Sequence, residues 1–130
     1  MVRLFLDDIR IPVECAEYMK KRIGKDADHY KEDWVTVRNY EEFVDYLHNN
    51  DVPQIVSFDH DLAHEHYAKI EFNPENYSIY TEDFKEKTGN DCAKFLVNFC
   101  RNKEVSLPEC FVHSMNPVGI DNILNSLKYA

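Results

Sequence analysis

Asp59, His60 and Asp61 stand together at the end of a short apolar run, Ile55-Val56-Ser57-Phe58, that follows Pro53 and Gln54. Two carboxylates and an imidazole in successive positions suit metal binding or proton transfer; a plain turn more often uses Gly, Asn or a single Asp. Asp7 and Asp8 close a second apolar run, Leu4-Phe5-Leu6, and His113, Ser114 and Asn116 close a third, Cys110-Phe111-Val112. If the runs are neighbouring strands, Asp7, Asp8 and Asp59 lie within a few ångströms of one another. Two carboxylates about 4 Å apart repel by about 4 kcal/mol at an effective dielectric of about 20. Either one keeps its proton or a cation sits among them. Such hard oxygen ligands suit Mg²⁺, and Mn²⁺ fits the same set. Adding His60 or His113 would extend it to a softer transition metal.

The elements that must position these residues are legible in order. Residues 3–8, 34–38, 54–59 and 109–113 read as strands. Val13 to Ile23 reads as a helix with Val13, Ala16, Met19 and Ile23 inward, ended by Gly24; residues 25–33 read as a polar loop. Asn39 caps a second helix whose Phe43 and Leu47 face the core, with Glu42 near the capping-box position. Asp91 to Lys103 is a third, with an apolar stripe of Ala93, Leu96, Val97 and Cys100. Pro117 opens a last helix, with Val118, Ile120, Ile123, Leu124 and Leu127 expected inward. Residues 63–87 form a long connection expected to be an inserted loop or lid after strand 3, within which 69–72 and 77–80 could pair as a hairpin. Alternation of strand and helix implies a mainly parallel sheet covered on both faces, with the ligand beyond the carboxyl ends of the strands.

Composition narrows the function. The 130 residues suit one domain, residues 1–130, and 44% hydrophobic content supports a core. A net charge of −9 argues against an extended nucleic-acid duplex as partner, but not against a nucleotide or cyclic-phosphate small molecule met through a cation. No apolar run approaches the about 20 residues of a membrane span, and Val2 to Leu6 is too short for a signal segment, so a cytoplasmic, membrane-free protein is expected. Cys15, Cys92, Cys100 and Cys110 lack zinc-site spacing and read as reduced thiols.

The Asp7-Asp8 pair, Asp59 and Ser114 resemble the receiver domains of two-component response regulators, which bind Mg²⁺ and accept phosphate on the third-strand aspartate. The fuller pattern is Leu-Asp-Asp-x-Arg-x-Pro at 6–12, Phe-Asp-His-Asp-Leu at 58–62, Lys-Thr-Gly-x-Asp at 87–91 and His-Ser-Met-Asn-Pro at 113–117. It is similar to the receiver-like family described as cyclic-phosphate processing domains. That resemblance implies a three-layer flavodoxin/receiver-like fold with a four-stranded sheet of order 2-1-3-4, lacking the receiver's fifth strand and its lysine. It implies a metal on Asp7, Asp8 and Asp59, catalytic roles for His60, His113 and Asp61, and substrate contacts from Arg10, Ser114, Asn116 and Thr88. The function it implies is a metal-dependent phosphoesterase acting on a cyclic phosphate of a nucleotide or RNA end. The alternatives are a non-catalytic signalling module that binds or accepts phosphate at Asp59, and a nucleotide-binding sponge. Two local readings compete: His113 as a satisfied structural histidine at the end of a buried strand, and Arg10 paired with Asp7 or Asp8 in place of substrate.

Overall fold

In the computed structural model, which describes residues 1–62 and 88–128, strand β1 (Arg3–Leu6) lies inside a parallel sheet. Its neighbours are β2 (Val35–Val37) on one side and β3 (Ile55–Phe58) on the other, and β4 (Glu109–Val112) adds outside β3. The order β2-β1-β3-β4 is the one expected. Helices α1 (Pro12–Ile23), α2 (Tyr40–Asn49), α3 (Gly89–Lys103) and α4 (Pro117–Lys128) connect or follow these strands.

Successive residues of a strand point to opposite faces, and β1 uses both. Leu4 and Leu6 pack with Val56 and Phe58 against α2, α3 and α4, whereas Phe5 packs with Cys15, Ala16 and Met19 of α1. Two apolar cores on opposite faces make the three layers of an α/β receiver-like fold.

The ladder pairing continues one residue past the strand ends. The Asp7 amide donates to Val37 O (3.1 Å), the Asp59 amide to Leu6 O (2.9 Å) and the His113 amide to Phe58 O (2.9 Å). The register therefore sets Asp7, Asp59 and His113 side by side at the carboxyl edge.

Several local expectations need correction. Residues 25–33 are not simply a polar loop: Gly24–Lys31 is a 3-10 helix that buries Ala27 and Tyr30 on the Phe5 side. Val13, Val118 and Leu124 point to solvent, at 54%, 68% and 47% exposure. On α4 the sheet and α3 take only the narrow stripe of Ile120, Ile123 and Leu127, and positions 118 and 124 fall to either side of it. Asn39 does cap α2, accepting from the Glu42 amide, but Glu42 returns its carboxylate to the Arg38 amide. The four cysteines are free thiols. The expected lid and hairpin lie outside the described residues. Among those residues no helix is long and apolar enough to cross a membrane.

Candidate functional site

Asp7 is fully buried, and its carboxylate is ringed by donors. Oδ1 accepts the amides of Ile9 (3.0 Å) and Arg10 (2.8 Å); Oδ2 faces His113 Nε2 at 3.1 Å. Burial alone would raise the Asp7 pKa, but the His113 and backbone hydrogen bonds outweigh it and hold the group at about 2. Asp59 is 4% exposed and among the described residues has one such donor, the His60 amide at 2.9 Å. Its own burial, then the negative Asp7 beside it, push its pKa to about 7.

Asp7, Asp8 and Asp59 each offer an oxygen within 4.8 Å of the others, close enough to share one hard divalent cation. The upward shift of Asp59, set first by its burial and then by the Asp7 charge, is the electrostatic sign of a site short of positive charge. The donor set fits Mg²⁺ or Mn²⁺. Cys15 and His113 also bring a sulfur and a nitrogen within 4.8 Å of an Asp7 oxygen, a softer set that shares Asp7 with the first.

Above the carboxylates lies a cleft of about 480 Å³. Asp8, Asp59 and Asp61 give it an acidic floor, Arg10 and Asn116 add polar groups, and Ile9, Met115 and Pro117 form apolar walls. Neither His60 nor His113 is among its lining residues. The His60 ring is tucked against Gly119 of α4, and its Nδ1 sits 3.0 Å from Asp61 Oδ1; Asp61 is the exposed member of the pair. His113 is 0% exposed, stacked on Phe5 with centroids 4.3 Å apart, so it meets Asp7 from behind and has no face on the cleft. The reading of His113 as a proton donor to substrate therefore gives way to one in which it holds Asp7.

The expected substrate contacts divide in the same way. Arg10 reaches the cleft, but its Nη1 donates to Tyr18 Oη (2.9 Å) and lies 3.9 Å from Asp7 Oδ2, so the pairing with Asp7 is realised. Ser114 is 1% exposed and its Oγ accepts the Asn116 amide at 3.1 Å. The Asn116 Oδ1 in turn accepts the Gly119 amide at the start of α4, while the residue still borders the cleft. Thr88 is outside the lining: it caps α3 in a reciprocal box with Asp91, which explains the hydroxyl at that position without a ligand.

A family model described as the cyclic-phosphate processing receiver domain matches residues 2–129. The chain belongs to that family. No curated protein and no solved structure matches it.

In this receiver domain, side chains that sequence reasoning passed over hold the site in shape. Tyr18 Oη donates to His113 O (2.6 Å) and Arg22 Nη1 to Ser114 O (2.8 Å), so α1 grips the turn after β4. Arg38 Nη1 donates to Arg10 O (2.7 Å) and Asp7 O (3.2 Å), fixing the turn after β1. Nothing in their spacing marks these three. Ser57 and Tyr30, which join behind His113, carried one signal: Ser57 is a polar residue in the middle of an otherwise apolar strand.

Proposed function

We propose that this receiver-family chain is a metal-dependent phosphoesterase that opens a cyclic phosphate of a nucleotide or RNA end. The observation that carries the reading is the convergence of Asp7, Asp8 and Asp59 under a cleft that also holds Arg10 and Asp61. In the reaction, water attacks phosphorus, one of the two ring P–O ester bonds breaks, and the released oxygen takes a proton to leave a phosphomonoester. A divalent cation on the three carboxylates supplies positive charge against the charge that develops on the phosphoryl oxygens. Arg10 offers a planar donor fork to a second phosphoryl oxygen, and the neighbouring Tyr18 hydroxyl keeps it at the cleft when substrate is absent. Asp61, with the His60 imidazole against it, is the carboxylate placed to accept the proton of the attacking water; His60 orients it from the wall. The apolar surface of Ile9, Met115 and Pro117 suits a nucleobase or ribose better than a bare inorganic phosphate.

The test is turnover of 2′,3′-cyclic nucleotides, 3′,5′-cyclic nucleotides and cyclic dinucleotides with Mg²⁺ or Mn²⁺, with EDTA, and with Asp59→Ala alongside. Hydrolysis that both EDTA and the substitution abolish is expected. Ligand retained without turnover would instead support a nucleotide sponge. Labelling of Asp59 by acetyl phosphate, with no hydrolysis of any ester, would support the signalling module.

A further inference from the structure

Behind Asp7 runs a line of buried hydrogen bonds that the phosphoesterase reading leaves unused. Tyr30 Oη lies 2.6 Å from Ser57 Oγ, Ser57 Oγ 2.6 Å from His113 Nδ1, and His113 Nε2 3.1 Å from Asp7 Oδ2. All four residues are 0% exposed. Aromatic rings wall the line: Phe5 stacks on His113 at 4.3 Å and 10°, and Trp34 stacks on Tyr30 at 5.3 Å and 8°.

The hydroxyl and imidazole hydrogens have one consistent arrangement. Asp7 is a carboxylate and can only accept, so Nε2 of His113 carries the hydrogen between them. An imidazole whose hydrogen sits on Nε2 presents a lone pair at Nδ1, and Nδ1 faces the Ser57 hydroxyl at 2.6 Å. Ser57 must therefore donate its single hydrogen to Nδ1. Its oxygen is left to accept, and Tyr30 is the donor. Each link fixes the direction of the next, and the last aims an N–H at Asp7 Oδ2. With Oδ1 already accepting the Ile9 and Arg10 amides, this leaves one acceptor site, on Oδ2, for a cation shared with Asp8 and Asp59.

We propose that Tyr30 and Ser57 are positioning residues that, through His113, fix the Asp7 carboxylate in the orientation needed to ligate a divalent cation. The proposal rests on the metal reading of Asp7, Asp8 and Asp59, and extends it to two side chains that touch neither substrate nor cation. Partners that orient a metal ligand typically contribute about 10- to 100-fold in metal affinity. A residue serving the core alone would change melting temperature and leave affinity as it was.

The experiment uses the full chain. Mn²⁺ affinity is measured for the wild type, Ser57→Ala, Tyr30→Phe and Ser57→Thr, and the His113 tautomer is read by nitrogen NMR in the metal-free protein. Tyr30→Phe removes one hydroxyl and keeps the stacked ring, so it guards against a Ser57→Ala chain that fails to fold. The wild type is expected to show hydrogen on Nε2. Ser57→Ala and Tyr30→Phe are expected to bind Mn²⁺ about tenfold more weakly, with Ser57→Thr restoring affinity. Hydrogen on Nδ1, or affinities in both variants matching a wild type that does bind, overturns the relay. A wild type that takes up no Mn²⁺ sinks the metal reading itself, and the relay's role with it.

Discussion

Asp59 sits beside Asp7 at the end of the neighbouring strand, and the two carboxylates are driven to opposite protonation states. Asp7 is held at about 2 by the donors around it, while burial and the Asp7 charge raise Asp59 to about 7. The parallel register between β1 and β3 creates the conflict, because it aligns Leu6 with Phe58 and so sets the next residues, both Asp, edge to edge.

The pH dependence of stability follows. The Asp59 pKa is raised from 3.8 to about 7, so between those values the folded chain holds a proton that the unfolded chain has lost. The stability this confers is full below pH 3.8 and is lost as pH rises through about 7. At about 1.4 kcal/mol for each pKa unit the loss is of the order of 4 kcal/mol. Asp7 acts oppositely: its contribution is present above pH 3.8 and disappears only as pH falls through about 2, so the windows do not overlap. Metal-free protein should melt at lower temperature at pH 8 than at pH 5, and Mg²⁺ should recover most of the difference at pH 8. Calorimetry near pH 6 should detect proton release on Mg²⁺ binding. A flat melting profile over this range, unaffected by Mg²⁺, would contradict the account.

Asp59→Asn separates stability from function. The amide oxygen can still accept from the His60 amide, and the repulsion with Asp7 is gone. At pH 8 the metal-free variant should melt above the wild type, by the equivalent of about 1–4 kcal/mol. It should also lose Mg²⁺ binding and cyclic-phosphate turnover. Thermal melts and metal titration on the same sample check both halves; a variant less stable than wild type at pH 8 would mean that Asp59 carries no electrostatic strain.

The four strands and the gathering of Asp7, Asp59 and His113 were legible because each depends on local pattern and on the general geometry of parallel sheets, whereas the strand order came from the family resemblance. Which way the side chains face was less so. His60 and Asp61 are adjacent in sequence, yet one packs against Gly119 and the other opens to the cleft, and only the approach of α4 decides between them. Tyr30 looked like loop because its neighbours are charged. Its burial depends on Trp34, four residues on, and on Phe5, which is distant in sequence and meets it only once the sheet has formed. Thr88 entered as a substrate contact through the family resemblance, and a hydroxyl at a helix start serves equally well as the cap it makes here.

Two glycines are required by how closely α3 and α4 approach the loop after β3, and they should respond differently to a methyl group. A Cβ on Gly89 would lie 1.7 Å from the Asp59 carbonyl oxygen, a backbone atom fixed by the sheet. A Cβ on Gly119 would meet the root of the His60 side chain, its Cβ as well as its ring; the ring can rotate away, but the His60 Cβ moves only if the loop or α4 shifts. Ala is favoured over Gly within a helix by about 1 kcal/mol, but overpacking costs about 1–3 kcal/mol or more. Gly89→Ala should therefore destabilise the chain by at least about 3 kcal/mol and disorder the Asp59 site. Gly119→Ala should fold with a loss of about 1–3 kcal/mol, bind metal better than Gly89→Ala does and lose turnover through a displaced His60–Asp61 pair. Equal effects of the two substitutions on metal affinity would refute this division.

Tyr18 joins both walls of the cleft through one oxygen. Its hydroxyl accepts from Arg10 Nη1 after β1 and donates to the His113 carbonyl after β4, at 2.9 and 2.6 Å. Tyr18→Phe keeps the ring, over which the Arg22 guanidinium lies at 5.2 Å, and removes these links together with the hydroxyl's 3.0 Å contact to Cys15 Sγ. The His113 carbonyl then loses a partner in a buried setting, at a cost of about 1–3 kcal/mol. Arg10 loses the contact that keeps it at the cleft, so substrate capture should suffer more than the chemical step. The expected result is a KM raised about tenfold with kcat lowered no more than about threefold, and Mn²⁺ affinity little changed because the hydroxyl's bonds run to Arg10, the His113 carbonyl and Cys15. Steady-state kinetics beside a metal titration distinguish this from general damage, which would weaken all three quantities together.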